Sequence, residues 1–92
     1  MERTIREVIN KFRWDARFQG EACVHFVDRY ERETTLTVCR IADITRVTSH
    51  YFTCRSGTEL KYIPLHRVVK ITYEGREVWV SKRWVEFFER AA

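Results

Sequence analysis

From Ala22 to Val80 the chain is a succession of short runs rich in β-branched and aromatic residues, cut by tight-turn signals. That rhythm constrains the fold more than any other feature. The clearest punctuation is Ser56-Gly57 and Glu74-Gly75, where glycine can take the positive φ of a hairpin tip. In the first run, ACVHFVDRY (22–30), Ala22, Val24 and Phe26 fall on one side and Cys23, His25 and Val27 on the other, which predicts a strand buried on both faces. After the charged turn Glu31-Arg32-Glu33, the run TTLTVCRI predicts a second strand, hairpin-linked to the first. Further strands are expected near 46–54, 58–63, 68–73 and 76–80. Ile41-Ala42-Asp43-Ile44 and Pro64-Leu65-His66-Arg67-Val68 each read as a short turn followed by a strand pair.

Helices flank these runs. Thr4-Ile5-Arg6-Glu7 has capping-box form, and Ile5, Val8, Ile9 and Phe12 make one apolar stripe, so a helix should run to about Arg13. Ser81 can cap a closing amphipathic helix in which Trp84, Phe87 and Phe88 share a face, with Val85 beside it. With three Gly and one Pro among 92 residues, no linker divides the chain, and a single domain over 1–92 follows. The expected class is α+β: an N-terminal helix, a curved antiparallel sheet or partly open barrel of about six strands, and a C-terminal amphipathic helix.

No apolar run reaches the roughly 20 residues of a membrane span, and MERTIREVINKF mixes charge with apolar residues where a signal peptide would be continuously apolar. A cytoplasmic location is the expectation. Cys23, Cys39 and Cys54 are odd in number and isolated, a pattern of neither a disulfide framework nor a zinc site, so they read as small core residues on strands. No metal or other cofactor is expected.

The net charge is +4, and the cations are thirteen Arg against four Lys. Arginine meets phosphate oxygens with a planar fork, which leans toward nucleic acid; an arginine-rich surface without a ligand is the plain alternative. No H-E-x-x-H, G-x-S-x-G, P-loop or dinucleotide turn is present, so catalysis has no recognisable motif. Aromatic residues near basic ones, at Arg13-Trp14, Tyr51-Phe52 and Arg83-Trp84, are either stacking platforms for bases or core. Ile63-Pro64-Leu65-His66-Arg67-Val68 sets a His-Arg pair at a turn before a strand, where both side chains could face one anion.

That segment, with Trp14-Asp15, Asp28-Arg29, Ile44, and Gly75 through Val78-Trp79, resembles the RNA cyclic group end recognition domain family in order and spacing over most of the chain. The family comprises short archaeal stand-alone proteins, with eukaryotic relatives fused to a two-histidine phosphoesterase. The resemblance implies recognition of phosphate-bearing RNA ends, the 2′,3′-cyclic phosphate among them. This chain departs from the pattern by adding a helix from about Lys82 to Arg90, whose first turn holds Lys82 and Arg83 against the positive end of the helix dipole, an arrangement that a bound anion would relieve.

The leading expectation is thus a non-catalytic RNA-binding module. Arg29, His66 and Arg67 would hold a terminal phosphate, Trp14 would stack on the last base, and Lys11, Arg13, Lys82 and Arg83 would add charge. Two alternatives stand beside it. One is a protein-interaction or dimerisation domain using Trp84, Phe87 and Phe88. The other is an RNA-end phosphodiesterase pairing His66 with His25 or His50.

Overall fold

The computed structural model describes residues 4–30 and 33–91, and the side chains of these except at 29, 30, 33, 34 and 87–91. Helix α1 (Ile5–Trp14) starts as its sequence dictates: Glu7 N donates to Thr4 Oγ1 at 3.2 Å, and Thr4 N donates to the Glu7 carboxylate at 3.4 Å. Its Val8 and Ile9 are buried. Seven strands follow, β1 (Ala22–Tyr30), β2 (Glu33–Arg40), β3 (Ile44–Val47), β4 (Tyr51–Ser56), β5 (Glu59–Pro64), β6 (Val68–Tyr73) and β7 (Arg76–Val80), and then α2 (Lys82–Ala91). Residues 31 and 32 of the expected charged turn lie outside the described residues.

The strands form two antiparallel sheets, β2-β1-β6-β7 and β3-β4-β5, and no closed barrel. The α+β class holds, while the expected curved sheet or partly open barrel of about six strands is found as two antiparallel sheets with seven strands. The extra strand comes from Thr48. Its hydroxyl accepts from the amides of His50 (3.1 Å) and Tyr51 (3.0 Å) and donates to the Tyr51 carbonyl (3.1 Å), turning the chain inside what reads as one β-branched run at 46–54.

The partition into two sheets comes from a pair of like 3-10 turns, Ile41–Asp43 and Leu65–Arg67. In each, the N–H of the residue that follows returns to the first carbonyl, Ile44 to Ile41 and Val68 to Leu65. Each carries the chain from one sheet to the other. The loose likeness between these two segments in sequence is therefore a likeness of structural role.

The main core gathers Val24, Phe26 and Ile71 from the four-stranded sheet, Ile44, Phe52 and Ile63 from the three-stranded sheet, and Val8 and Ile9 from α1. Phe26 and Phe52 meet edge to face across it at 6.0 Å. The other face of β1 is covered only in part: Val27 is buried with Val69 and Trp84 in a second cluster, while Cys23 and His25 are half-buried. α2 thus docks on the outer face of the larger sheet, and the Trp84 indole N–H donates to the His66 carbonyl at 2.7 Å. Among the described residues no helix is long and apolar enough to cross a membrane.

One expectation is corrected. Cys39 and Cys54, read as unpaired core cysteines, are joined by a disulfide that ties β2 to β4 and hence one sheet to the other; Cys23 is free. Spacing along the chain gave no signal because the partners meet only once both sheets are in place. The two glycine-tipped hairpins are present, with Gly57 (φ +62°) and Glu74-Gly75 (φ +50° and +80°) in left-handed conformations.

Candidate nucleic-acid interface

The end of α1 is held by a compact aromatic and ionic loop. Phe12 lies against Phe18 (4.8 Å) and Tyr73 (5.2 Å), and the Tyr73 hydroxyl accepts from Gly20 N at 2.9 Å. Arg17 grips the Asp15 carboxylate, with Nη2 to Oδ2 at 2.7 Å. That hydrogen bond above all, helped by the Arg17 backbone N–H, holds the Asp15 carboxyl down at about 2. Lys11 Nζ stands 5.1 Å over the Phe18 ring.

With this base fixed, Trp14 projects outward and is 73% exposed. The Arg13 guanidinium lies 4.7 Å from its ring centre and reaches the Thr45 carbonyl on β3 at 3.5 Å. Together with Phe18, Gly20, Ala22, Arg40, Ile41 and one acidic residue, Glu21, they line an open groove of about 650 Å³ between α1 and the Ile41–Asp43 turn. Arg40 contributes a second guanidinium, whose one ion pair among the described residues is a long 3.4 Å contact to Asp43 with both side chains exposed. Such a pair is weak and leaves the fork available to another anion. A neighbouring cleft of about 430 Å³ runs along the disulfide and is lined by Arg40 and Arg55.

The other expected site residues fall elsewhere. His66 and Arg67 occupy the Leu65–Arg67 turn, His66 exposed and Arg67 half-buried, and the Trp84 bond to His66 O brings the start of α2, with exposed Lys82 and Arg83, beside them. That turn enters β6 at Val68, the register partner of Phe26, whereas the Trp14 groove reaches Ala22. Their nearest anchors on β1, Phe26 and Ala22, are thus about 13 Å apart at the usual strand rise. Arg29 pairs with Thr34 in the β1–β2 ladder, and its side chain lies outside the described residues.

Of the aromatic candidates, Trp14 faces water, Tyr51 is half-buried, Phe52 is fully buried and Trp84 is turned onto the chain's own sheet. A partner-docking face on α2 would have to rest on Phe87 and Phe88, whose side chains lie outside the described residues. Among the histidines, His50 and His66 lie on adjoining turns, joined by the bond from Leu65 N to His50 O at 2.9 Å. His25 instead faces Thr72 Oγ1 at 3.1 Å, on the outer face of the larger sheet, where burial and Lys70 push its pKa down against the pull of Glu77. Among the described residues no group of three His, Cys, Asp or Glu is placed to hold a metal ion.

Arg40 was missed by sequence reasoning. It reads as an ordinary strand-end cation until the register sets it opposite Cys23 at the mouth of the groove. Its only one-dimensional sign is its place just before the Ile-Ala-Asp-Ile turn.

Fold and site together define a small two-sheet α+β domain bearing a groove lined by exposed indole and arginine. The sequence comparison gives that class a family. Over residues 2–81 the chain matches the family described as the MJ1316 RNA cyclic group end recognition domain, and it belongs to that family. It is also 29% identical over 79 residues to a UPF0248 protein of Pyrobaculum aerophilum, covering 86% of this chain and 99% of that one. No solved structure matches it. The family match stops just before Lys82, so α2 lies beyond it.

Proposed function

We propose that the domain binds phosphate-bearing RNA 3′ ends without cleaving them, with the terminal nucleotide in the groove between α1 and the Ile41–Asp43 turn. One observation carries this reading: Trp14 keeps its large ring in water with a guanidinium against it, in a groove whose far side supplies Arg40. An exposed indole beside two arginines suits a base and its phosphate: the ring stacks on any base for about 1 to 3 kcal/mol, and each fork offers two parallel hydrogen bonds to phosphate oxygens. The family's description, cyclic-group end recognition, agrees with that chemistry. His66, Arg67, Lys82, Arg83 and Arg29 serve in this reading as contacts for phosphates further from the end.

The test is a titration of labelled oligonucleotides ending in cyclic phosphate, 3′-phosphate or hydroxyl, at two salt concentrations. The expected result is tighter binding of the phosphorylated ends, weakened by salt, and a loss of roughly 5- to 150-fold in Trp14→Ala. Equal and negligible binding of all three would refute it. Electrophoresis of the same mixtures checks the non-catalytic part: the cyclic end should be recovered intact, and its conversion would instead favour the adjoining His50 and His66.

A further inference from the structure

We propose that the outer face of the three-stranded sheet continues this groove as a stacking track for the unpaired nucleotides leading up to the bound end. Tyr62 and Tyr51 would be its ring pair, and Arg46 and Arg55 its phosphate contacts. The proposal rests on the end-binding reading for its direction along the RNA.

The register places these residues on one face. Arg46 and Tyr62 both pair with Thr53, and Tyr51 and Arg55 lie two positions either side of Thr53 on β4. Their faces are opposite to those of Phe52 and Ile63, which point into the core. Tyr62 is 66% exposed, and its ring stands 5.6 Å from that of Tyr51. The middle of the face is closed by a 2.6 Å hydrogen bond between the hydroxyls of Thr45 and Thr53, and Thr53 is buried between the flanking side chains. Thr45 is also the residue whose carbonyl Arg13 touches, which makes the groove and the face contiguous.

Charge selects the occupant. By the same register this face carries Arg46 and Arg55 and, among the described residues of its strands, no acid, while Lys61 and Glu59 fall on the other side with Cys54 and Ser56; Arg13 adds a further cation at the β3 edge. Aromatic rings set among cations that have no ion pair among the described residues suit a flexible polyanion of stackable bases better than an apolar protein surface. The outer face of the larger sheet shows the contrast. There Leu36, Val38 and Val80 are exposed, against Leu60 alone among the exposed aliphatics of the three-stranded sheet's described outer face, Lys70 is paired with Glu77, and α2 covers one end.

The experiment compares oligonucleotides of about three and about nine nucleotides that share one 3′ end, by fluorescence anisotropy. The wild-type domain should bind the longer one roughly 5- to 150-fold tighter, and Tyr62→Ala should remove most of that gain while leaving the short one unchanged. Tyr62→Phe keeps the ring and should keep the gain; the exposure of Tyr62 lets both variants fold, which circular dichroism verifies. Arg55→Ala should lower the salt slope for the longer oligonucleotide by about 0.7. Affinity independent of length, or a length gain untouched in Tyr62→Ala and Arg55→Ala, overturns the track even where end discrimination persists. A length gain that persists without end discrimination supports the track and refutes the end-binding reading instead.

Discussion

Reduction of the Cys39–Cys54 bond should be the most damaging mild perturbation of this domain. The bond closes a loop with a sequence separation of 15 residues. On the chain-entropy account such a closure removes about 3 kcal/mol of conformational freedom from the unfolded state. Both sulfurs belong to buried residues, at 5% and 7% exposure, so the released thiols stay in the core as small apolar groups and add little cost of their own. A domain of this size loses about 4 to 8 °C of Tm per kcal/mol, so reduction should lower Tm by roughly 12 to 24 °C. Thermal unfolding by circular dichroism with and without a phosphine reductant measures the shift, and reoxidation should reverse it. Alkylation of the native, non-reduced protein should modify Cys23 alone. Three alkylated thiols without reductant, or the same Tm in both states, would refute the reasoning.

Thr48→Val keeps the β-branched shape but removes the hydroxyl that organises the β3–β4 turn, and should cost about 1 to 2 kcal/mol by urea denaturation. Gly75→Ala puts a side chain at φ +80° and should cost about 1 to 2 kcal/mol by the same measurement. His25 has its pKa lowered by burial first and Lys70 second, so the unfolded chain binds the extra proton more readily. Its contribution to stability is complete above the ordinary value of 6.5 and declines as pH falls from there toward the folded value; His25→Gln should flatten that acid limb in denaturation midpoints measured across pH.

Much of the scaffold is legible in the sequence because its signals are local. The Thr4 and Glu7 capping box, the α1 stripe and the glycine tips are each written within a few residues, and the structure realises each of them. Of the residues through which the chain resembles the family, Ile44, Ile63 and Val68 are buried in the core seam, whereas Trp14 faces water. What stayed hidden depends on long-range juxtaposition. Cys39 finds Cys54, and Arg40 arrives at the Trp14 groove, only after the chain has crossed between sheets. The Thr48 turn stayed hidden for another reason: it uses a hydroxyl in place of Gly or Pro, and a threonine amid β-branched neighbours looks like strand. The aromatic–basic pairs were visible as pairs, but strand alternation decides which ring is seen by solvent, and it sends Phe52 inward and Tyr51 outward.

The stretch from 44 to 64 is entered and left through the matching 3-10 turns, and among the described residues no ladder bond joins its three strands to the other four. It forms a cassette, attached by two turns, a shared apolar seam, the Arg13 contact to the Thr45 carbonyl and one covalent stitch. Its solvent-facing side chains can therefore be exchanged without touching the half that folds around β1 and β6. A lineage of such proteins is free to change what it holds on that side while keeping the same chassis.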